Sequence, residues 1–292
     1  ELRGWQRRHG YPFEFSTEAS VDLAACPDLL DLMAECNFNA VFLGIETPDE
    51  ASLTATGKTQ NTRQPLEEAV AKITRAGLRV MGGFIIGFDG PLTVAVNLRG
   101  EAIFTDMVED PEYVHRLLGF ITDATLAVRR ALRRRFGFDE REEQAGLADD
   151  SIQLISASMY DEFVKPYHAR WYDGLGGGAK RSIHLCGDAT RHFPDIQESL
   201  GVTSFDTGFP VDFADLRRKL GPGSEISGGV EVALLIGGTP EAVYARARDI
   251  LTSGVKVGGR FILREGNNLP PKTPLANLEA MYRAALDFGG YG

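Results

Sequence analysis

Short apolar runs alternate with amphipathic helical stretches along almost the whole chain, and this alternation restricts the fold more than any other feature. The runs read as strands at Phe13 to Thr17, Ala40 to Glu46, Leu78 to Asp89, Glu143 to Asp150, Ser182 to Cys186, Thr203 to Thr207, Glu225 to Gly229 and Gly259 to Leu263. The fourth is the weakest, and Ile152 to Ile155 competes for its place. Strands this short and apolar, separated by helices, belong to a parallel sheet covered on both faces. The helices carry their own punctuation. Pro27 sits in the first turn of one whose apolar stripe is Leu29, Leu30, Leu32 and Met33. Another runs from about Pro65 to Ala76 and stops at Gly77. Asp110-Pro111 opens the longest helix, which extends to about Phe136. Thr239-Pro240 opens a helix closed by Gly254, and a last one follows Thr273-Pro274.

Eight strand–helix units in 292 residues is the count for a closed (β/α)8 TIM barrel, an α/β fold. An open doubly wound sheet would show a glycine-rich phosphate turn after its first strand, and Phe13 to Ala19 is followed by none. The expectation is therefore one barrel over residues 1–292.

Charge and cysteine usage narrow the function classes. With 41 acidic against 31 basic residues the formal net charge is -10, which disfavours nucleic acid and anionic membrane as partners. No run of about 18 apolar residues appears, and the N-terminal residues lack a signal-peptide pattern. Cys26, Cys36 and Cys186 are too few for a disulfide framework. Together these features lead us to expect a cytoplasmic protein.

In a barrel of this kind chemistry gathers where strands end and loops begin. Those positions hold Glu18, Glu46, Asp89, Asp149 with Asp150, His184 with Cys186 and Asp188, Asp206, Glu231, and Glu265 with Asn267. A helix N-cap accounts for any one acid, but so many around one mouth require a neutralising cation. His184-Leu185-Cys186 is the sharpest feature, because alternate strand residues point the same way. Imidazole and thiol on one face suit zinc, with His192, Asp188, Asp206, Glu231 or Glu265 completing a tetrahedron. The competing reading is a packed cysteine beside a hydrogen-bonded histidine. No Cys-x3-Cys-x2-Cys run, Gly-x-Ser-x-Gly elbow or Walker loop is present, so no iron–sulfur cluster held by that spacing is expected. Arg129, Arg130, Arg133, Arg134 and Arg135 precede the acidic stretch Asp139 to Glu143 and read as a charge-compensated helix end.

From Gly90 onward the chain resembles the uroporphyrinogen decarboxylase superfamily, which also holds zinc-dependent methyltransferases working between corrinoid proteins and thiols. The matching stretches are GPLT (Gly90 to Thr93), ADDSIQLISASMYDEFVKPYH (Ala148 to His168), SIHLCGD (Ser182 to Asp188), FDTGFPVD (Phe205 to Asp212), ISGGV (Ile226 to Val230) and REGNNLPPKTPLANLEAM (Arg264 to Met281). The first 89 residues are similar instead to the middle of B12-associated radical S-adenosylmethionine enzymes, through FEFSTEASVDLA (Phe13 to Ala24), VFLGIETPDEASL (Val41 to Leu53), Lys58-Thr59-Gln60-Asn61 and GGFIIGFD (Gly82 to Asp89). The cluster cysteines of that family are absent, so cleavage of S-adenosylmethionine is not expected. Glu18, Glu46 and Asn61 fall where that family binds its nucleoside. The two resemblances imply a chimeric barrel, natural or engineered, with strands 1–3 in residues 1–89 and strands 4–8 in residues 90–292.

The resemblance also implies site roles. The thiol-methylating branch holds zinc with a His-x-Cys pair, matching His184 and Cys186, and a cysteine whose position is Asn267 here. Glu231 or Glu265 would replace that lost ligand. The decarboxylases' tyrosine would fall at Asn97. Their polycarboxylate substrate needs a basic cleft, whereas only Arg99, Arg191 and Arg264 lie near this acidic rim. The expected function is zinc-dependent methyl transfer between a corrinoid, carried by a possible partner protein, and a small-molecule thiol or methyl donor. His184, Cys186, Glu231 and Glu265 would bind metal, and Asp149, Asp150 and Asp206 would orient substrate or act as acid and base. The alternatives are a non-catalytic barrel scaffold that has lost both parental activities and, third, a decarboxylase-like lyase.

Overall fold

The computed structural model describes residues 1–46, 66–84, 89–176, 178, 180–266 and 269–291, and of residues 44–46, 66–67 and 82–84 the backbone alone. These form two compact units, Glu1–Phe88 and Asp89–Gly292.

The first unit is built on a parallel three-stranded sheet in the order β1 (Phe15–Ala19), β2 (Phe38–Glu46), β3 (Arg79–Phe84). A helix at Leu2–Arg8 precedes it, and helices at Pro27–Glu35 and Leu66–Arg75 connect the strands. Val41 and Leu43 are fully buried on β2 and meet Leu30, Met33, Ala69, Ile73 and Leu78 in one core. Of the stripe expected on Pro27–Glu35, only Leu30 and Met33 are buried, while Leu29 and Leu32 are exposed. The reason is angular. Residues three apart share a helix face, and Leu29 and Leu32 lie about 100° away from the Leu30–Met33 pair. Pro65, where the next helix was expected to begin, lies outside the described residues, and that helix ends before Gly77 at φ +95°.

The second unit carries a parallel five-stranded sheet in sequence order: β4 (Gln144–Ala148), β5 (Lys180–Leu185), β6 (Val202–Thr207), β7 (Glu225–Val230) and β8 (Phe261–Glu265). The fourth strand thus takes the first of its two expected places. Ile152 instead belongs to a 3-10 turn, Asp150–Leu154, that starts as soon as the strand ends. In neither sheet does the strand order reverse, unlike the switch point of a doubly wound sheet.

Helices connect these strands, and their termini follow the sequence signals. Pro111–Arg135 begins at a cap where Asp110 accepts from the Tyr113 amide at 3.0 Å. Its basic end is compensated: Arg129 meets Glu142 at 2.8 Å and Arg134 meets Glu140 at 2.9 Å. Thr239 caps Pro240–Thr252, and the last helix is Leu275–Phe288. Two shorter helices, Pro91–Arg99 and Ala102–Glu109, precede the long one. Large side chains from strands and helices, among them Leu118, Tyr160, Trp171, Phe193 and Phe205, fill the core beneath β4–β7. Because the strands are parallel, their C-terminal ends share one edge, and the candidate side chains stand there.

Candidate functional site

The site forms at the ends of β4, β5 and β6. Ala148 pairs with His184, His184 with Asp206, and Asp206 with Ser227, so one cross-strand row carries the polar groups. His184 Nδ1 lies 2.8 Å from Asp206 Oδ2, and His184 Nε2 lies 3.1 Å from Cys186 Sγ. The same Asp206 oxygen accepts from Arg264 Nη1 at 2.9 Å, while Oδ1 accepts from the Ser227 hydroxyl at 3.2 Å. Asp150, first in the turn after β4, accepts from the Cys186 amide at 2.7 Å. Ligand atoms of Asp150, His184 and Cys186 all lie within 4.8 Å of one another.

Electrostatics follow from these contacts. Hydrogen bonds to Asp206 and then to Cys186 push the His184 imidazole up to about 10, against the opposing effect of burial. Burial by itself would raise Asp206. The hydrogen bond from His184 and the Arg264 charge outweigh it and hold the carboxyl below its ordinary range. Asp89 is pushed up, by burial first and then by the charges of Asp149 and Asp150.

The acids of the rim divide by partner. Asp149 is fully buried and takes no part in the ligand group. It accepts from the amides of Leu92 and Thr93 and from the Thr93 hydroxyl, and it contacts His168 Nε2 at 2.9 Å. Glu231 is held by Arg246 Nε at 2.9 and 3.0 Å, and Glu265 by Arg264 Nη2 at 3.0 Å. Neither glutamate belongs to the convergent group among the described residues. His192 Nε2 faces the Ile152 carbonyl at 3.0 Å, and Asp188 is exposed. Asn97 is exposed on Pro91–Arg99. Among the rim acids of the second unit, Asp206, Glu231 and Glu265 are thus paired with arginines from β8 and from Pro240–Thr252.

In the first unit Glu18 is exposed on β1 opposite Phe42, and the Glu46 backbone pairs with Phe84. Asn61 and Asn267 lie outside the described residues.

Sequence reasoning assigned no role to Thr93, Tyr160, His168 or Ser227. Thr93 and His168 contact Asp149, Tyr160 meets His168, and Ser227 holds Asp206. All four lie in the stretches GPLT, Ala148 to His168 and ISGGV that carry the superfamily resemblance. The turn after β5 also depends on a glycine. Gly187 has φ +73°, and a Cβ there would fall 1.7 Å from Gln153 Oε1.

Comparison with known proteins gives two kinds of likeness. The profile of the family described as "Uroporphyrinogen decarboxylase (URO-D)" matches residues 44–288. The methylated-thiol–coenzyme M methyltransferase of Methanosarcina mazei is 34% identical over 202 residues, 68% of this chain and 51% of that protein. An uncharacterized methyltransferase of Synechocystis, sll1242, is 67% identical over 90 residues, 31% of this chain and 17% of that one. The chain therefore spans about half or less of these curated relatives. A solved methyltransferase from Methanosarcina mazei superposes with TM-score 0.61 at 18% identity, covering 99% of this chain and 98% of that one, a likeness of fold.

Proposed function

Since this chain belongs to the uroporphyrinogen decarboxylase family, we propose that it is a metal-dependent methyl-transfer member. One observation carries the reading: imidazole, thiol and carboxylate from three separate positions converge within 4.8 Å. That nitrogen, sulfur and oxygen donor set fits zinc. His184, Cys186 and Asp150 would hold the metal, with Asp150 standing where Glu231 and Glu265 had been the expected extra ligands. The two glutamates are engaged by arginines instead.

When bound, zinc supplies Lewis acidity that lowers the pKa of a coordinated thiol and holds it as a nucleophile. The chain's residues do the rest. Asp206 accepts from His184 Nδ1, which fixes the tautomer and leaves Nε2 facing Cys186. Arg264 and Ser227 hold Asp206 in that pose. We propose methyl exchange between a corrinoid, carried by a partner protein, and a small-molecule thiol or methyl donor. The methyltransferase relatives support this, in particular one whose name specifies a methylated thiol.

We further propose that the chain is a chimeric (β/α)8 barrel, joined near residue 89. Support comes from relatives that match over different lengths, one over 90 residues and one over 202, although the family profile, from residue 44, crosses residue 89. Glu18, Glu46 and Asn61 would then be relics of a nucleoside site. A non-catalytic barrel is the competing reading, favoured by asparagine at positions 97 and 267.

The test is metal content of protein purified without added metal, beside a His184→Ala, Cys186→Ala double variant. About one zinc per chain, lost in the double variant, supports the methyl-transfer reading and leads to assays with methylcobalamin and thiols. No metal in a cooperatively folded protein refutes it and leaves the non-catalytic barrel.

A further inference from the structure

Beneath the ligand group lies a second polar cluster that the proposed chemistry does not use. Asp149, His168 and Tyr160 are 0, 0 and 1% exposed. His168 Nε2 is 2.9 Å from Asp149 Oδ2, and His168 Nδ1 is 3.1 Å from the Tyr160 hydroxyl. Donor counting gives the chain a direction. A carboxylate only accepts, so Nε2 carries a hydrogen toward Asp149, and Nδ1 accepts from the tyrosine. The hydroxyl keeps its proton, since burial raises Tyr160 well above the ordinary range.

Asp149 is saturated at the far end of this chain. Its Oδ1 accepts from the Thr93 amide at 2.7 Å and the Thr93 hydroxyl at 2.7 Å, and its Oδ2 accepts from the Leu92 amide at 3.1 Å. Thr93 Oγ1 in turn accepts from the Ser151 amide at 3.1 Å, which clamps the residue on the other side of Asp150. Gly90 completes the fit, because a Cβ there would stand 2.4 Å from the Asp149 side chain. Both neighbours of Asp150 are therefore held by hydrogen bonds, buried at Asp149 on the Leu92 amide and His168 and half-buried at Ser151. Asp150 itself reaches the Cys186 amide at 2.7 Å.

We propose that Tyr160, His168 and Asp149 form a buried positioning relay that sets where the Asp150 carboxylate stands, on the Cys186 amide and so within the ligand group. Its last step, the supply of a metal ligand, rests on the metal reading above; its first step does not. Tyr160 and His168 are positioning residues, since they touch no ligand atom of the group.

The experiment measures amide hydrogen exchange of Cys186 in metal-free protein, relative to Ile183 on the preceding strand β5, and then Co2+ affinity of the same samples. Loss of one buried hydrogen-bond link is worth up to about tenfold in an opening equilibrium. His168→Leu is expected to speed Cys186 exchange about tenfold relative to Ile183 and to weaken Co2+ binding about tenfold. His168→Gln, whose amide keeps a donor near Asp149, is expected to stay within about threefold of wild type in both. A general loss of stability would move Cys186 and Ile183 together, and that result overturns the relay. So does wild-type Cys186 exchange in a folded His168→Leu protein. If that variant does not fold, Tyr160→Phe decides, with about threefold faster exchange expected and an unchanged rate overturning the proposal. Wild-type protein that binds no Co2+ removes the metal reading, and the exchange comparison still decides the relay.

Discussion

Asp206 accepts from His184 and Arg264 on one oxygen and from Ser227 on the other, so removing its charge weakens three contacts at once. Asp206→Asn is expected to weaken Zn2+ or Co2+ binding by about 10- to 100-fold, the usual cost of losing a carboxylate behind a metal-binding histidine. A competition titration with a chromophoric chelator reads this directly. His184 makes a second prediction, for metal-free protein. Its folded pKa of about 10 lies above the ordinary histidine value of about 6.5. The stabilisation from its charged form is thus complete below about pH 6.5 and is lost as pH rises through about 10. With the side chain 34% exposed, solvent screening reduces the effect to about 1–2 kcal/mol. Melting temperature should fall between those pH values in wild type, and His184→Gln should flatten that slope. A slope unchanged by the substitution would show that another group carries it.

The strand ends depend on turns as much as on side chains. Gly187→Ala places a Cβ on Gln153 in a backbone conformation that favours glycine, and should cost about 1–3 kcal/mol by urea unfolding. Asp110→Ala removes the cap of Pro111–Arg135 and should cost about 1 kcal/mol without altering metal affinity. A change in affinity there would tie the long helix to the site. The contrast shows what was readable beforehand. Asp110-Pro111 and Thr239-Pro240 announce their helices because capping is a local code. His184 and Cys186 were read as i and i+2 of one strand, and although β5 ends at Leu185 their side chains do meet. Asp150 was named as an acid or base, but its approach to the Cys186 amide spans 36 residues and rests on a turn with no periodic signature. His168 and Asp149, likewise 19 residues apart, meet only because the turns after Asp150 bring the helix at Lys165–Leu175 back against β4. Glu231 and Glu265 looked available because the arginines that hold them were not identifiable as their partners from sequence.

At the scale of the molecule, the expectation of one barrel makes a thermodynamic prediction. Residues 1–292 should unfold in a single transition with calorimetric and van't Hoff enthalpies equal. Separately expressed 1–88 and 89–292 should each fail to give a cooperative melt, and an isolated 89–292 that melts cooperatively would refute the single barrel. The strand number was legible because each strand is short, apolar and bounded by helix signals. The expected closure into one barrel depends on stagger and tilt, which no local pattern encodes. The sequential order of the strands has a consequence for inheritance. In β4–β8, each strand borders only those coded just before and just after it. Any single crossover within a connecting segment therefore disturbs one seam of the sheet and leaves every other neighbour relation as it was. Genes for such walls can exchange whole blocks between lineages, and descent is then better traced block by block than along the chain as a unit.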